Sequence, residues 1–203
     1  MSFASHVNHV VKKAGSALDW LLRTFSIRNA PLTHLYKSYV LPLLEYNSAF
    51  WNPHLLKDID ALESVQRRFT KSFPFLRDLS YRARLEALEL ESLEIRRLRA
   101  TLILIYNIVH NHILHSSSAS SFFRLSAGTS DVNSHCLRGH SLKLFIPRAN
   151  SGIVHNFAPI RFIYIWNDLP GHVVSAPNIV TFKRLLLKQD LSSYVVGRAL
   201  RSN

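Results

Sequence analysis

Three groups of cations are the residues of this sequence best suited to chemistry, and that chemistry is the holding of phosphate. Arg67, Arg68 and Lys71 close one charged amphipathic segment. Arg96, Arg97 and Arg99 form a second group, in which helical spacing puts Arg96 and Arg99 on one face with Arg97 beside them. Arg138, His140, Lys143 and Arg148 form a third. Lysine meets phosphate as a point charge, and arginine as a planar fork that grips two oxygens. Such groups also occur as plain solvated faces, so they become a binding expectation only together with the charge of the whole chain. Tyr36, Tyr39, Tyr46, Phe50 and Trp51 have faces on which bases can stack. Their helical spacing suits a core better.

Other chemistry finds little support. There is no Gly-x-Ser-x-Gly, no phosphate-cradling P-loop and no Gly-x-Gly-x-x-Gly. With 11 histidines and many serines, a Ser-His-Asp combination can be assembled by chance and assigns nothing. Two-metal nucleotidyl transfer needs paired carboxylates after an aromatic in a strand-turn-strand context. Asp58 and Asp60 instead open an amphipathic helix, where negative charge complements the helix N-terminus. His110, His112 and His115 cluster, as do His135, Cys136 and His140. Structural zinc favours four ligands with thiolates among them, and one cysteine is a poor start. His110 and His112, two apart, do not share a helix face. The expectation is no catalytic residue, no metal and no cofactor.

The chain has 203 residues, with 25 Lys/Arg against 13 Asp/Glu, a net charge of +12. Residues 1–94 hold 12 Lys/Arg and 10 Asp/Glu, and residues 95–203 hold 13 and 3, so the surplus lies almost wholly in the second half. A surplus of that size favours an anionic partner, nucleic acid before a membrane surface. A single cysteine excludes an internal disulfide and suits a reducing compartment, nucleus or cytoplasm. The start of the chain does not resemble a signal peptide, and the most apolar run, Leu102 to Val109, is too short to span a bilayer.

The elements that must position these residues follow from apolar period. Ser5 to Phe25 carries one apolar face and predicts a helix, within which Gly15 marks a close helix contact. Leu35 to Lys71 predicts two amphipathic helices about an aromatic turn, Phe50-Trp51-Asn52-Pro53, with Pro42 kinking the first. The second runs from Asp58 to Phe73. Ser80 caps a short helix to Leu88, and Ser92 starts a long one to about His115. Ser116 to Ser121 predicts an exposed loop. Leu142 to Pro147 predicts a short strand, and Ala158–Leu169 and Ile179–Leu187 predict helices. The fold class is mainly α: a bundle of about five helices over residues 1–115, a Ser-rich linker over 116–137, and a small basic α+β part over 138–203.

Several runs together resemble a known family. They are Leu35-Tyr36-Lys37-Ser38, Pro42-Leu43-Leu44-Glu45-Tyr46, Trp51-Asn52-Pro53-His54, Asp58-Ile59, Leu62-Glu63 and Val65-Gln66-Arg67-Arg68. Leu79-Ser80-Tyr81, Arg84-Leu85 and Leu93-Glu94-Ile95-Arg96-Arg97 continue them. Arg138-Gly139-His140-Ser141-Leu142-Lys143-Leu144, Ile165-Trp166-Asn167-Asp168-Leu169-Pro170, Val173-Val174, Ala176-Pro177 and Phe182-Lys183 complete them. In this order they resemble the segment downstream of the polymerase core in non-LTR (LINE-type, jockey-like) retrotransposon reverse transcriptases. The resemblance implies a thumb and post-thumb portion of an RNA-directed DNA polymerase. The family's aromatic-Ala-Asp-Asp motif and palm carboxylates are not matched, so it implies a non-catalytic fragment, with Mg²⁺ belonging only to a complete parent polymerase. The implied partners are RNA or RNA–DNA duplex and the palm and fingers domains, with no membrane. A different class stays open beside it: a stand-alone or co-opted helical protein-interaction module, using the Leu35–Lys71 surface with Tyr39, Phe50 and Trp51 exposed.

Overall fold

Apolar residues recur every three to four positions from Val7 to Leu21, and that stripe builds the first helix, α1 (Ala4–Thr24), with Val7, Val10, Ala14, Leu18 and Leu21 buried. The structure is a computed structural model, and it describes residues 3–110, 125–126, 140–146 and 158–195. They fall into two compact units. One takes the chain to Arg97 together with Val195, and the other runs from Leu98 to Tyr194.

In the first unit, α2 (Ala30–Leu35) opens with Pro31 in its first turn, where a missing N–H costs nothing. It passes through a π-helical stretch (Tyr36–Val40) into α3 (Leu41–Glu45). The stretch sits just before Pro42, whose ring crowds the carbonyl four residues back and whose nitrogen cannot donate. The wider turn, with Leu41 N–H bonded to the Tyr36 carbonyl, is the form the expected kink takes. The short α4 (Ser48–Trp51) follows Asn47, which has a left-handed φ of 53°. Next come α5 (Leu56–Lys71) and α6 (Tyr81–Ala87). Ser80 Oγ caps α6 by accepting from Ala83 N–H at 3.3 Å. Then α7 (Leu93–Val109) begins behind Ser92, whose Oγ accepts from Ile95 N–H at 3.4 Å.

α1 packs on α5, on α3 and on the π-helical stretch. The core between them joins Leu18, Leu44 and Leu62 to an aromatic column. Tyr36 stacks on Phe69 at 4.0 Å between centroids, and Phe69 meets Phe73 edge-on at 5.3 Å. Each such ring, fully buried, contributes about 1.5–3 kcal/mol. Gly15 lies over this α1–α5 contact, but a Cβ there would stand 3.8 Å from Arg68 Nη2, an ordinary contact distance. The approach is therefore looser than a glycine-requiring one.

The second unit is built on α8 (Ala158–Asp168), α9 (Gly171–Val174) and α10 (Ile179–Leu187). Asn178 Oδ1 caps α10 by accepting from Thr181 N–H at 2.8 Å. The core of this unit draws on the later part of α7: Leu98, Leu102, Ile105 and Tyr106 pack with Phe162, Ile163, Trp166, Phe182 and Leu186. Tyr106 stacks on Phe182 at 4.3 Å and donates to the Ala176 carbonyl at 2.7 Å. The cores thus divide at Arg97/Leu98. The reason is that the apolar side chains after Arg97 face residues that lie far downstream. The expected Ser-rich loop and the residues flanking it lie outside the described residues.

The mainly α class holds. Among the described residues there is no strand, only an isolated antiparallel bridge between Leu125 and Leu144. Around Leu142 to Ile146 the expected alternation is real: Leu144 is buried, Leu142 and Ile146 are half-buried, and Phe145 is exposed. The Leu144 backbone groups are satisfied by a side chain. Asn167 of α8 accepts from Leu144 N–H at 2.8 Å and donates to the Leu144 carbonyl at 2.9 Å.

Candidate nucleic-acid interface

The predicted cations separate into held and open ones. Arg67 is tied to Asp60 at 2.8 Å and lies over the Tyr81 ring at 5.5 Å. Arg68 reaches from α5 to α1, where it pairs with Asp19 at 3.1 Å and donates to the Gly15 carbonyl at 3.0 Å, with about half of its side chain in solvent. Lys71, in the last turn of α5, is exposed. Of this group, Lys71 and the open side of Arg68 can meet a phosphate, while Arg67 works inside the unit.

Arg96 and Arg97 do not share a free face. Arg96 makes a two-pronged contact with Glu45 of α3 through Nε and Nη2, the latter at 3.1 Å. The Glu45 hydrogen bond is the main reason its guanidinium is held above its ordinary range. Arg97 is only 1% exposed and lies over the Trp51 ring at 5.6 Å. Burial pushes its affinity for a proton down, and the nearby Glu63 carboxylate works against that. In this arrangement Arg97 cannot touch a phosphate in solvent. The expectation of a surface role for it is corrected on that physical ground: the cation covers an aromatic ring inside the core. Arg99, in the second unit, is half-buried.

In the third group, Lys143 is half-buried and its carbonyl accepts from Ser126 N–H at 2.8 Å. Arg138 and Arg148 lie outside the described residues. His140 bonds through Nε2 to the Trp166 carbonyl at 3.2 Å, and burial lowers its pKa from the ordinary 6.5. Trp166 Nε1 in turn donates to the Leu142 carbonyl at 2.9 Å. The runs His140–Leu144 and Trp166-Asn167, which the sequence sets about 20 residues apart, are therefore one structural joint. Their residue types are explained by the bonds they make to each other.

A second joint lies under α7. Tyr36 OH donates to Gln66 Oε1 at 3.1 Å. Gln66 Nε2 donates to Tyr81 OH at 3.2 Å and to the Glu91 carbonyl at 2.8 Å. Tyr81 OH donates to Glu63 Oε2 at 2.7 Å, and Glu63 Oε1 accepts from Glu94 N–H at 3.3 Å. Glu63 thereby places a carboxylate at the α7 N-terminus, where the helix dipole favours it. Burial pushes the Glu63 carboxyl up despite the Tyr81 hydrogen bond and the charge of Arg97. Burial also pushes both phenols, Tyr36 and Tyr81, well up. Tyr36, Glu63 and Gln66 are fully buried, and Tyr81 is half-buried.

A further set of open cations lies on α10. Lys183 and Arg184 of α10 and Lys188 just beyond it are exposed, and they make no ion pair among the described residues. α10 contains no acidic residue. Arg184 and Lys188 are four apart and share a face. The signal that finds them is the lack of acids within the helix, not the density of cations. Of the proposed stacking rings, Tyr36 and Trp51 are buried, whereas Tyr39, Tyr46 and Phe50 are exposed.

Among the described residues no three His, Cys, Asp or Glu side chains gather as metal ligands. His110 is engaged with the Val174 carbonyl at 2.9 Å, while His112, His115, His135 and Cys136 lie outside the described residues. No described helix is long and apolar enough to cross a membrane. No protein-family model, no curated protein and no solved structure matches the chain.

Proposed function

We propose that this chain is a non-catalytic, thumb and post-thumb portion of a LINE-type RNA-directed DNA polymerase. It binds RNA or RNA–DNA template–primer duplex through basic helix faces, in nucleus or cytoplasm. The observation that carries the binding half of this reading is the face of α10: Lys183, Arg184 and Lys188 stand in solvent with no acid in the helix. Lys71 and the open side of Arg68 give the first unit its own phosphate contacts. The lineage half rests on the sequence resemblance. It is supported by the fact that the resembling runs bond to one another: Glu45 to Arg96, Gln66 and Glu63 to Tyr81, and Leu144 to Asn167.

Binding of this kind releases condensed counterions, so affinity falls steeply and linearly on a log–log plot against salt. The test is titration of the full chain with a labelled RNA–DNA duplex from low to physiological salt. A steep negative slope is expected. A flat slope, or no binding at low salt, would overturn the reading. A template–primer extension assay with Mg²⁺ is expected to give no incorporation, and clear incorporation would overturn the non-catalytic assignment.

One observation favours the second reading, a helical protein-interaction module. Tyr39 and Phe50 are exposed on the Leu35–Lys71 segment, and exposed apolar rings mark contact surfaces. Trp51, the third ring that reading needs, is buried.

A further inference from the structure

Trp20 on α1 is 57% exposed and Tyr39 on the π-helical stretch is 58% exposed, yet the two rings are neighbours, with centroids 6.4 Å apart and planes tilted by 58°. They form an open aromatic pair on the first unit. The segment that carries them, residues 4–45, holds five Lys/Arg (Lys12, Lys13, Arg23, Arg28 and Lys37) and two acids, Asp19 and Glu45. Both acids are answered from outside the segment, Asp19 by Arg68 at 3.1 Å and Glu45 by Arg96. The segment's own five positive charges are therefore left over. On α1, Lys13 lies seven residues before Trp20 and Arg23 three after it, which puts both on the side of the helix that carries the ring.

Flat open rings set among surplus cations complement a ligand of the opposite make: flat rings strung on an anionic backbone. An apolar peptide would match the rings and waste the charge. We propose that Trp20 and Tyr39 form a stacking platform for unpaired bases of single-stranded nucleic acid, with Lys13 and Arg23 on the adjoining phosphates. This rests on the nucleic-acid reading above and adds to it the place where bases, rather than backbone, are met. Base–aromatic stacking tolerates any sequence because every base has a π-face. The platform therefore selects single strands over duplex, and not one sequence over another.

The test uses the full chain with a 5′-labelled (dT)12 and a 12-unit abasic strand of the same charge, beside the RNA–DNA duplex. Trp51 and Trp166 are buried, at 4% and 0% exposed, so Trp20 is the tryptophan open to quenching. (dT)12 is expected to quench tryptophan emission and to bind more tightly than the abasic strand. Trp20→Ala and Tyr39→Ala are each expected to weaken (dT)12 binding about five- to 150-fold, the range that loss of one base–aromatic stack gives. Abasic-strand and duplex binding should stay unchanged in both variants. Equal affinity for (dT)12 and the abasic strand would overturn the platform, as would unchanged (dT)12 binding in both variants while duplex binding persists. If the variants instead alter sedimentation of the chain and leave (dT)12 binding alone, the rings are a protein contact and the platform is overturned. If neither (dT)12 nor duplex binds at low salt, the nucleic-acid reading itself fails and the platform with it.

Discussion

Asn167 serves Leu144 as a substitute strand: its side-chain amide accepts from the Leu144 N–H at 2.8 Å and donates to the Leu144 carbonyl at 2.9 Å. A primary amide has the donor–acceptor pair of a backbone peptide unit, so it satisfies both polar groups of a buried residue that has no neighbouring strand on that side. With His140 on the Trp166 carbonyl and Trp166 Nε1 on the Leu142 carbonyl, it fixes an extended segment onto α8.

Asn167→Ala leaves both Leu144 groups without that partner. An unmade buried bond costs about 1–3 kcal/mol, so a total loss of about 2–6 kcal/mol is expected by urea denaturation. Asn167→Asp keeps the acceptor but sets a carboxylate against the Leu144 carbonyl, and it should be no better than Ala. An Asp variant as stable as the parent would show that the donor half of the amide contributes nothing.

Glu63 predicts a direction for stability against pH. Burial raises its carboxyl above the ordinary 4.5, so the folded chain binds this proton more tightly than the unfolded chain. From pH 4.5 upward to the raised value, the folded state therefore holds more protons, and stability must fall as pH rises through that window. Glu63→Gln removes the ionisation. Parent stability minus variant stability, from denaturation series at several pH values, should decline as pH climbs from 4.5. A difference that grows with pH would mean that Arg97 and the hydrogen bonds from Tyr81 and Glu94 outweigh burial.

At Gly15 the expected sign is positive. The residue sits inside α1, and an added Cβ meets nothing nearer than Arg68 Nη2 at 3.8 Å. Alanine is better than glycine in a helix interior by about 1 kcal/mol. Gly15→Ala should raise the melting temperature by several degrees. A lower melting temperature would show that the α1–α5 contact is tighter than this geometry.

What could be read from the chain alone was what period encodes. The α1 stripe from Val7 to Leu21 and the cap at Ser80 are local signals, and the structure carries them. Partners distant in sequence were not legible. Arg97 stands in a charged run whose spacing suggests a surface, yet it lies inside, over the ring of Trp51, 46 positions earlier. Alternation around Leu144 is a true mark of extended backbone, but it cannot tell a strand partner from the amide of Asn167, 23 positions on. The last turns of α7 are apolar on several faces, so no pattern within them announced that they serve a second core. The cations of α10 form no dense run in the sequence, and what leaves them available is that their helix carries no acid.

Those same cations give the sharpest separation between binding and folding. Lys183, Arg184 and Lys188 are exposed and unpaired among the described residues, so replacing all three with glutamine should leave stability within about 0.5 kcal/mol. If they neutralise duplex phosphates, each contributes about 0.9 to the slope of log affinity against log salt. The triple variant should therefore flatten that slope by roughly 2 to 3. Arg97→Met should do the reverse, moving the denaturation midpoint and leaving the slope alone, because a guanidinium packed over Trp51 releases no counterion when duplex arrives. An unchanged slope in the triple variant would remove α10 from the interface and leave Arg68 and Lys71 as the described cations to be tested next.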